Sequence, residues 1–120
     1  MAVKYTNGEA SERPWGRWQV LDTGRNHVVK RLTVNPGGRL SLQYHYHREE
    51  HWVMVEGTAT VTLDDEIFEA GSGAVIFVPV GKLHMIENRG VDRIVFIEVQ
   101  LGDDLREDDI VRLEDSYGRG

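Results

Sequence analysis

The sequence predicts an all-β fold, either a sandwich or a small barrel. Apolar residues occur in short or alternating runs between residues 17 and 100, and turn residues interrupt these runs every few positions. No segment before Leu101 has the 3.6-residue apolar period of a helix. Many short strands separated by glycine, proline and aspartate turns are typical of sandwiches and barrels. A chain of 120 residues is long enough to bury one apolar core.

Nine segments have the length and composition of strands. In chain order they are RWQVLD, HVVKRLTV, RLSLQYH, HWVMVEG, ATVTL, EIFEA, AVIFVP, HMIEN and RIVFIEVQ. The tail from Leu101 fits either a helical turn or an outer strand. We expect one domain, residues 1–120, with a barrel core at about residues 17–100 and terminal segments packed outside it. The alternating residues expected to face the core are Val61, Leu63, Val75, Phe77, Val95 and Ile97.

The composition excludes several kinds of site and partner. The sequence contains no cysteine, so any metal must be bound by nitrogen and oxygen atoms. The net charge of −6 argues against nucleic acids and anionic membranes as partners. The N-terminal sequence MAVKYTNGEASERPW has no apolar run like that of a signal peptide or a transmembrane helix, so we expect a cytoplasmic protein.

A dense cluster of polar residues, HYHREEH, extends from His45 to His51 and includes three histidines and two glutamates. Because side chains alternate along a strand, Gln43, His45 and His47 share one face if this segment is extended. Three polar groups directed into a barrel cost on the order of several kcal/mol when they lack partners. A bound metal ion removes that cost. The alternative is a polar surface strand and a solvated turn, with no metal.

The spacing around this cluster resembles the first sequence motif of the cupin family. Gly37 is followed after five residues by Gln43-x-His45, after four more by Glu50 and after six more by Gly57. The one departure is a glutamine where the motif has its first histidine. We therefore expect this segment to carry half of a cupin metal site.

The second cupin motif is matched at every anchor position. Its anchors in this sequence are Gly73, Pro79, Gly81, His84 and Asn88. Fifteen residues separate the two motifs, which is a normal cupin interval. The resemblance implies a double-stranded β-helix, the cupin jelly-roll barrel.

The motif spacing also selects among the candidate ligands. With His45 and His47 in the first motif, its glutamate and its first glycine fall out of register, whereas Gln43 and His45 fit every interval. His51 in place of Glu50 is the alternative. The resemblance, which extends to the ligands of zinc-dependent phosphomannose isomerases, implies a metal site formed by Gln43, His45, Glu50 and His84. We expect a divalent metal, with zinc as the first choice and manganese, iron, cobalt or nickel as alternatives.

Nearly the whole chain, residues 13–119, resembles the C-terminal cupin domain of type II phosphomannose isomerases. The similar segments are RPWGRWQVLD, VKRLTVNPGGRLSLQYHYHREEHWVMVEGTA and EDDIVRLEDSYGR. The resemblance implies a metal-dependent isomerase that interconverts mannose 6-phosphate and fructose 6-phosphate, with a metal stabilising charge on the sugar oxygens and a base moving a proton. The guanylyltransferase half of such proteins has no counterpart here, so nucleotide-sugar synthesis is not expected.

Residues near the ligands are candidates for proton transfer and phosphate binding. His47 and His51 are the candidate bases, since an unperturbed histidine titrates near neutral pH. A phosphate requires cations, and only one of the consecutive residues Lys30 and Arg31 can face inward from a strand. The other candidates for contact with the substrate are Arg39, Lys82, Arg112 and Trp52, together with Arg13 and Arg119 from the terminal segments.

Two other functions are compatible with the sequence. One is a cupin module that binds a metal and a sugar without turnover, and the other is a different metal-dependent cupin enzyme, such as a dioxygenase, epimerase or lyase. The glutamine ligand favours an isomerase over a dioxygenase, whereas the short chain favours the binding module. The expected partner is a small sugar phosphate. We also expect a homodimer, because pairing covers exposed strand edges.

Overall fold

The computed structural model describes residues 5–105 and 109–114, and these residues form eleven β-strands. The strands are β1 (Ala10–Arg13), β2 (Gly16–Thr23), β3 (His27–Val34), β4 (Leu42–Tyr44), β5 (Glu49–Glu56), β6 (Ala59–Leu63), β7 (Glu66–Ala70), β8 (Val75–Val78), β9 (His84–Glu87), β10 (Ile94–Leu101) and β11 (Val111–Glu114). Each of the nine predicted segments overlaps one of the strands β2 to β10. The described part of the chain has no helix long and apolar enough to cross a membrane.

The strands form two antiparallel sheets. The first has six strands in the order β1-β2-β3-β10-β5-β8, and the second has five in the order β11-β4-β9-β6-β7. At the centre of the first sheet, β3 and β10 pair along their full length although they lie far apart in the sequence. The chain crosses repeatedly from one sheet to the other between β3 and β10. This crossing places residues from both sheets around one shared interior.

The hydrophobic core lies between the two sheets. Leu32, Trp52 and Phe96 of the six-stranded sheet belong to one cluster with Val61 and Ile86 of the five-stranded sheet. None of these five side chains is more than 4% exposed. Burying a large apolar side chain stabilises a fold by about 1.5–3 kcal/mol. This cluster therefore holds the two sheets together and fixes the interior in which polar residues can meet.

Both terminal segments add a strand to the edge of a sheet. β1 pairs with β2, and β11 pairs with β4, where Arg112 lies opposite Gln43. From the sequence, the tail could form either a helical turn or an outer strand. The structure shows a strand, β11. Because β4 leads into the polar cluster, the C-terminal segment lies beside the candidate site. Arg119 lies outside the described residues.

The sequence-based assignment of core residues is wrong in β8. Val75 and Phe77, which were expected to face the core, are 70% and 50% exposed, whereas Ile76 and Val78 are 5% and 2% exposed. All four consecutive residues of β8 are apolar, so alternation along the sequence cannot select the buried face. The face is decided by pairing with β5, in which Trp52 lies opposite Ile76.

Replacing Ile76 by alanine should lower the free energy of unfolding by about 2–5 kcal/mol, because it leaves a cavity in the core. Val75→Ala, on the same strand and facing outward, should cost less than about 1 kcal/mol. Urea unfolding followed by circular dichroism measures both values. Equal losses for the two variants would contradict the β8 register described here.

Candidate metal centre

Three buried side chains with metal-binding atoms meet between the two sheets. His45 follows β4 and His84 begins β9, which are neighbouring strands of the five-stranded sheet, whereas Glu50 lies on β5 of the six-stranded sheet. His45, His84 and Glu50 are 3%, 4% and 2% exposed. Each offers one ligand atom, and these atoms all lie within 4.8 Å of one another. The strand pairing thus brings together three of the four predicted ligands, and this group can hold a metal ion.

Hydrogen bonds fix the orientation of both imidazole rings. His45 Nδ1 donates to the backbone oxygen of Asp109 at 2.5 Å, and His84 Nδ1 donates to that of Lys82 at 3.0 Å. A carbonyl oxygen only accepts, so the lone pair of each neutral ring is on Nε2. These Nε2 atoms lie 3.1 Å from Glu50 Oε2 and 3.9 Å from Glu50 Oε1, respectively. Burial lowers the pKa of His84, which favours the neutral ring that metal binding requires.

The carboxylate of Glu50 is ionised although it is buried. Burial alone would raise its pKa, but opposing causes, the largest of which is the charge of the Arg48 guanidinium, hold the pKa well below its ordinary value. Arg48 Nε donates to Oε2 at 3.0 Å, and Trp52 Nε1 donates to Oε1 at 3.0 Å. The centre therefore presents a charged and firmly oriented oxygen ligand.

The donor set fits a divalent transition metal. Two imidazole nitrogens and a carboxylate oxygen are ligands typical of zinc and related ions. Gln43 lies opposite His84 on the paired strands β4 and β9 and lines the same cavity. Its Nε2 donates to the backbone oxygen of Ser41 at 3.3 Å, which leaves its amide oxygen to accept from a cation. Gln43 therefore stays the predicted fourth ligand.

Asp109 connects the C-terminal segment to the centre. Its carboxylate accepts hydrogen bonds from the backbone N–H groups of Tyr46 at 3.0 Å and His47 at 2.8 Å. Its backbone oxygen accepts the bond from His45, and the residue is 5% exposed. Neither sequence motif includes Asp109, and the resemblance of the tail to the family was the one sequence signal near it. Contacts of this kind orient a ligand and raise its basicity.

The centre opens into a cavity of about 660 Å³. Four cationic residues line this cavity: Arg13, Lys30, Arg48 and Arg112. Lys30 is 6% exposed, and its Nζ lies 3.8 Å from the centroid of the Tyr5 ring and 4.6 Å from that of Trp18. Aromatic faces stabilise a buried ammonium group. The cavity therefore combines a candidate metal centre with several positive charges, which suits an anionic ligand.

Only some of the residues predicted to contact a substrate line this cavity. Lys30, Arg112 and Trp52 do so, whereas Arg39 and Lys82 do not. Arg31 is exposed on the outer face of β3, as alternation requires. Sequence reasoning missed Arg48, because a charged residue in the segment HREEH is usually part of a solvated turn. Its burial depends on the ion pair with Glu50, which appears only in the folded chain.

His47 and His51, the predicted bases, lie outside the cavity. Glu50 points between the sheets, so its neighbour His51 points to the outer face of β5. There, His51 Nε2 lies 2.7 Å from Glu49 Oε2, and its ring lies 4.9 Å from the ring of Phe77. His47 is exposed, because β4 ends at Tyr44 and the alternation does not continue as far as His47. Neither side chain is positioned to move a proton on a ligand inside the cavity.

Glu98, on β10, is a second buried carboxyl group in the cavity, and no sequence pattern pointed to it. It is 6% exposed and accepts a hydrogen bond from Gln100 Nε2 at 2.8 Å. Burial raises its pKa to about 8, the charge of Glu50 adds to this effect, and Lys30 opposes it. Glu98 is therefore protonated at neutral pH in the metal-free protein, in contrast to the ionised Glu50.

Known proteins similar to this chain were found by sequence and by structure. A family model described as "Mannose-6-phosphate isomerase C-terminal" matches residues 3–115. The mannose-1-phosphate guanylyltransferase ManC of Salmonella typhimurium and the alginate biosynthesis protein AlgA of Pseudomonas aeruginosa are each 50% identical over 107 residues, which are 89% of this chain and 22% of each relative. A double-stranded β-helix protein from Klebsiella pneumoniae has a TM-score of 0.72 and 19% identity, over 95% of this chain and 92% of that chain.

These similarities confirm the predicted double-stranded β-helix and the predicted relation to a cupin domain. They overturn the predicted function. These similar curated proteins are named as mannose-1-phosphate guanylyltransferases or polysaccharide biosynthesis proteins, and not as phosphomannose isomerases. The chain spans about 22% of their length. The prediction that it interconverts mannose 6-phosphate and fructose 6-phosphate is therefore wrong.

Asp109→Ala should weaken zinc binding by about tenfold to a hundredfold, because the loop that carries His45 loses its acceptor for two backbone N–H groups. Competition with a chromophoric chelator measures the affinity. Asp109→Asn keeps one acceptor oxygen and should lose less. Zinc affinity unchanged in Asp109→Ala would mean that the C-terminal segment does not hold the ligand loop.

Glu98→Gln should change how the stability of the metal-free protein depends on pH. Because the pKa of Glu98 is about 8 when folded and 4.5 in the unfolded chain, the folded protein binds the extra proton between these values. The free energy of unfolding should therefore fall as pH rises, by at most about 1.4 kcal/mol per pH unit. The variant cannot ionise and should lack this decline.

The window from pH 6.5 to 8 isolates Glu98, because the lowered pKa of His84 destabilises the fold only below its ordinary value of 6.5. Urea unfolding with a chelator present, repeated across this pH range, gives the free energy of unfolding of the wild type and of Glu98→Gln as a function of pH. Parallel curves for the wild type and Glu98→Gln across this window would contradict the protonated state of Glu98.

Proposed function

This chain belongs to the family of mannose-6-phosphate isomerase C-terminal domains, and from that relation we propose that it binds a divalent metal ion and, next to it, a mannose phosphate. His45, Glu50 and His84 are the proposed metal ligands, with Gln43 as the fourth. The proposed role of these residues is binding, because the candidate ligands lie within the 107 residues that correspond to 22% of the guanylyltransferase ManC.

The buried group of three ligand atoms carries this proposal. Glu50 is ionised and 2% exposed, and two histidine rings direct their Nε2 atoms towards it. A buried carboxylate is stable only when nearby positive charge and hydrogen bonds compensate for lost hydration. Two oriented histidines beside such a carboxylate are more than an ion pair needs, and they match the requirements of a metal ion. The same residues open into a cavity, as a site that binds a ligand requires.

A bound divalent metal would supply a Lewis acid that polarises hydroxyl or phosphoryl oxygens of a sugar phosphate. Nitrogen and carboxylate ligands favour zinc, with manganese, iron, cobalt and nickel as alternatives. The protein residues contribute orientation: Asp109 and Lys82 hold the histidine rings, and Trp52 holds the carboxylate of Glu50.

The charge of the cavity supports a phosphorylated ligand. Lys30 and Arg48 are each 6% exposed inside it, and Arg13 and Arg112 line it from the terminal segments. Buried cations of this kind require an anion or a strong hydrogen-bond acceptor. The names of the relatives make mannose 1-phosphate the first ligand to test.

Calorimetry of the zinc-loaded and the chelator-treated protein tests this proposal. Mannose 1-phosphate should bind the zinc form at least about tenfold more tightly than the metal-free form, because the metal adds a ligand for the sugar oxygens. Neutral mannose and inorganic phosphate are the two comparison ligands, and each should bind more weakly than mannose 1-phosphate.

The matched variants are His84→Ala and His47→Ala. His84→Ala should lower zinc affinity by more than about a hundredfold, since it removes a ligand. His47→Ala should keep most of the affinity, because His47 is exposed and lies outside the cavity. Equal zinc affinity in both variants, or tight binding of mannose 1-phosphate without any metal, would contradict the proposed site.

A further inference from the structure

Arg48 is a buried arginine in contact with two of the three candidate metal ligands. Its Nε donates to Glu50 Oε2 at 3.0 Å, and its Nη2 donates to His45 Nε2 at 3.1 Å. Its Nη1 is buried and has no hydrogen-bond partner among the residues that the structure describes. The guanidinium therefore uses two of its nitrogens on the metal centre and keeps a third unsatisfied beside the cavity that Arg48 lines.

The two atoms that Arg48 contacts are the atoms that a metal ion needs. The Nε2 lone pair of His45 can accept from Arg48 or coordinate a cation, but it cannot do both. A guanidinium and a divalent cation sharing Glu50 Oε2 in a buried site would also repel each other strongly. Arg48 must therefore release His45 and Glu50 when the centre is loaded with metal.

A released Arg48 side chain needs a new partner. The backbone of the preceding residue, His47, is held by Asp109, so Arg48 stays at the cavity when its guanidinium leaves the centre. A buried guanidinium without an anion is destabilising. A phosphate monoester has the charge and geometry to accept two parallel hydrogen bonds from arginine. The cavity is the place where such a group enters.

We propose that Arg48 exchanges partners: it holds Glu50 and His45 in the metal-free protein and binds the phosphate group of the ligand in the metal-loaded protein. This role rests on the proposed function and deepens it. Because the phosphate stabilises the position that Arg48 adopts once metal is bound, metal and phosphate ligand bind cooperatively. By thermodynamic linkage, each raises the affinity for the other by the same factor.

Cobalt(II) and mannose 1-phosphate are the probes for this coupling. Cobalt affinity is measured by calorimetry and by the visible absorption of the bound ion, with and without saturating mannose 1-phosphate. In the wild-type protein, mannose 1-phosphate should raise cobalt affinity by about tenfold or more, whereas neutral mannose should change it by less than about twofold. The absorption readout reports metal binding directly and requires no enzymatic activity.

Arg48→Met should raise the affinity for cobalt alone and should lower the effect of mannose 1-phosphate on cobalt affinity. Cobalt alone should bind at least about threefold more tightly than to the wild type, because no guanidinium has to be displaced. The effect of mannose 1-phosphate on cobalt affinity should fall below about threefold, because its phosphate loses the partner. Arg48→Lys keeps the charge without the planar fork and should give intermediate coupling. Where Arg48→Met does not fold, as judged by circular dichroism, Arg48→Lys supplies the comparison.

Arg31→Met is the matched control, because it removes one positive charge from an exposed position on the outer face of β3. It should keep the wild-type coupling. Equal coupling in the wild type and both Arg48 variants would overturn the role of Arg48 and leave the proposed function standing. A wild-type protein that binds neither cobalt nor mannose 1-phosphate would overturn the proposed function and the role of Arg48 together.

Discussion

The ionised carboxylate of Glu50, buried between the two sheets, is the constraint on which the rest of the site depends. Burial opposes its charge, so every neighbouring group must compensate for the loss of water. Arg48 and Trp52 donate to its two oxygens, and the two histidines face it from the opposite sheet. Glu98, close to the same charge, is kept protonated. The β-barrel provides the enclosed interior, and the charge of Glu50 determines which polar side chains can share it.

The terminal segments complete the site instead of packing only on the outside of the barrel. Asp109 orients His45 and holds the loop that follows β4, and Arg112 lies opposite Gln43 on β11. At the other end of the chain, the Tyr5 ring covers the buried ammonium of Lys30. A barrel limited to residues 17–100 would therefore lack the acceptor that fixes His45 and one wall of the cationic cavity. The candidate metal centre and its cavity therefore include residues from both ends of the described part of the chain.

The family relation was recognised from short motifs, but those motifs did not identify the reaction. The fixed glycines and the candidate ligands describe a fold and a metal site, and cupin folds host many chemistries. The similar curated proteins are named for guanylyl transfer to mannose 1-phosphate or for polysaccharide biosynthesis, so the isomerase assigned from the resemblance was wrong. What this chain shares with them is a domain of about one hundred residues, and its chemistry has to be argued from its own cavity.

The sequence by itself determined the nine central strands and the spacing of Gln43, His45, Glu50 and His84, because turn residues, alternation and motif intervals are local properties of the chain. Only the tertiary structure decided which face of β8 is buried, since four consecutive apolar residues fit either register. It also decided that Arg48 lies inside while His47 and His51 lie outside, and that Asp109 reaches His45 across 64 positions. These features depend on strand pairing and ion pairing between distant segments, and no local pattern encodes such contacts.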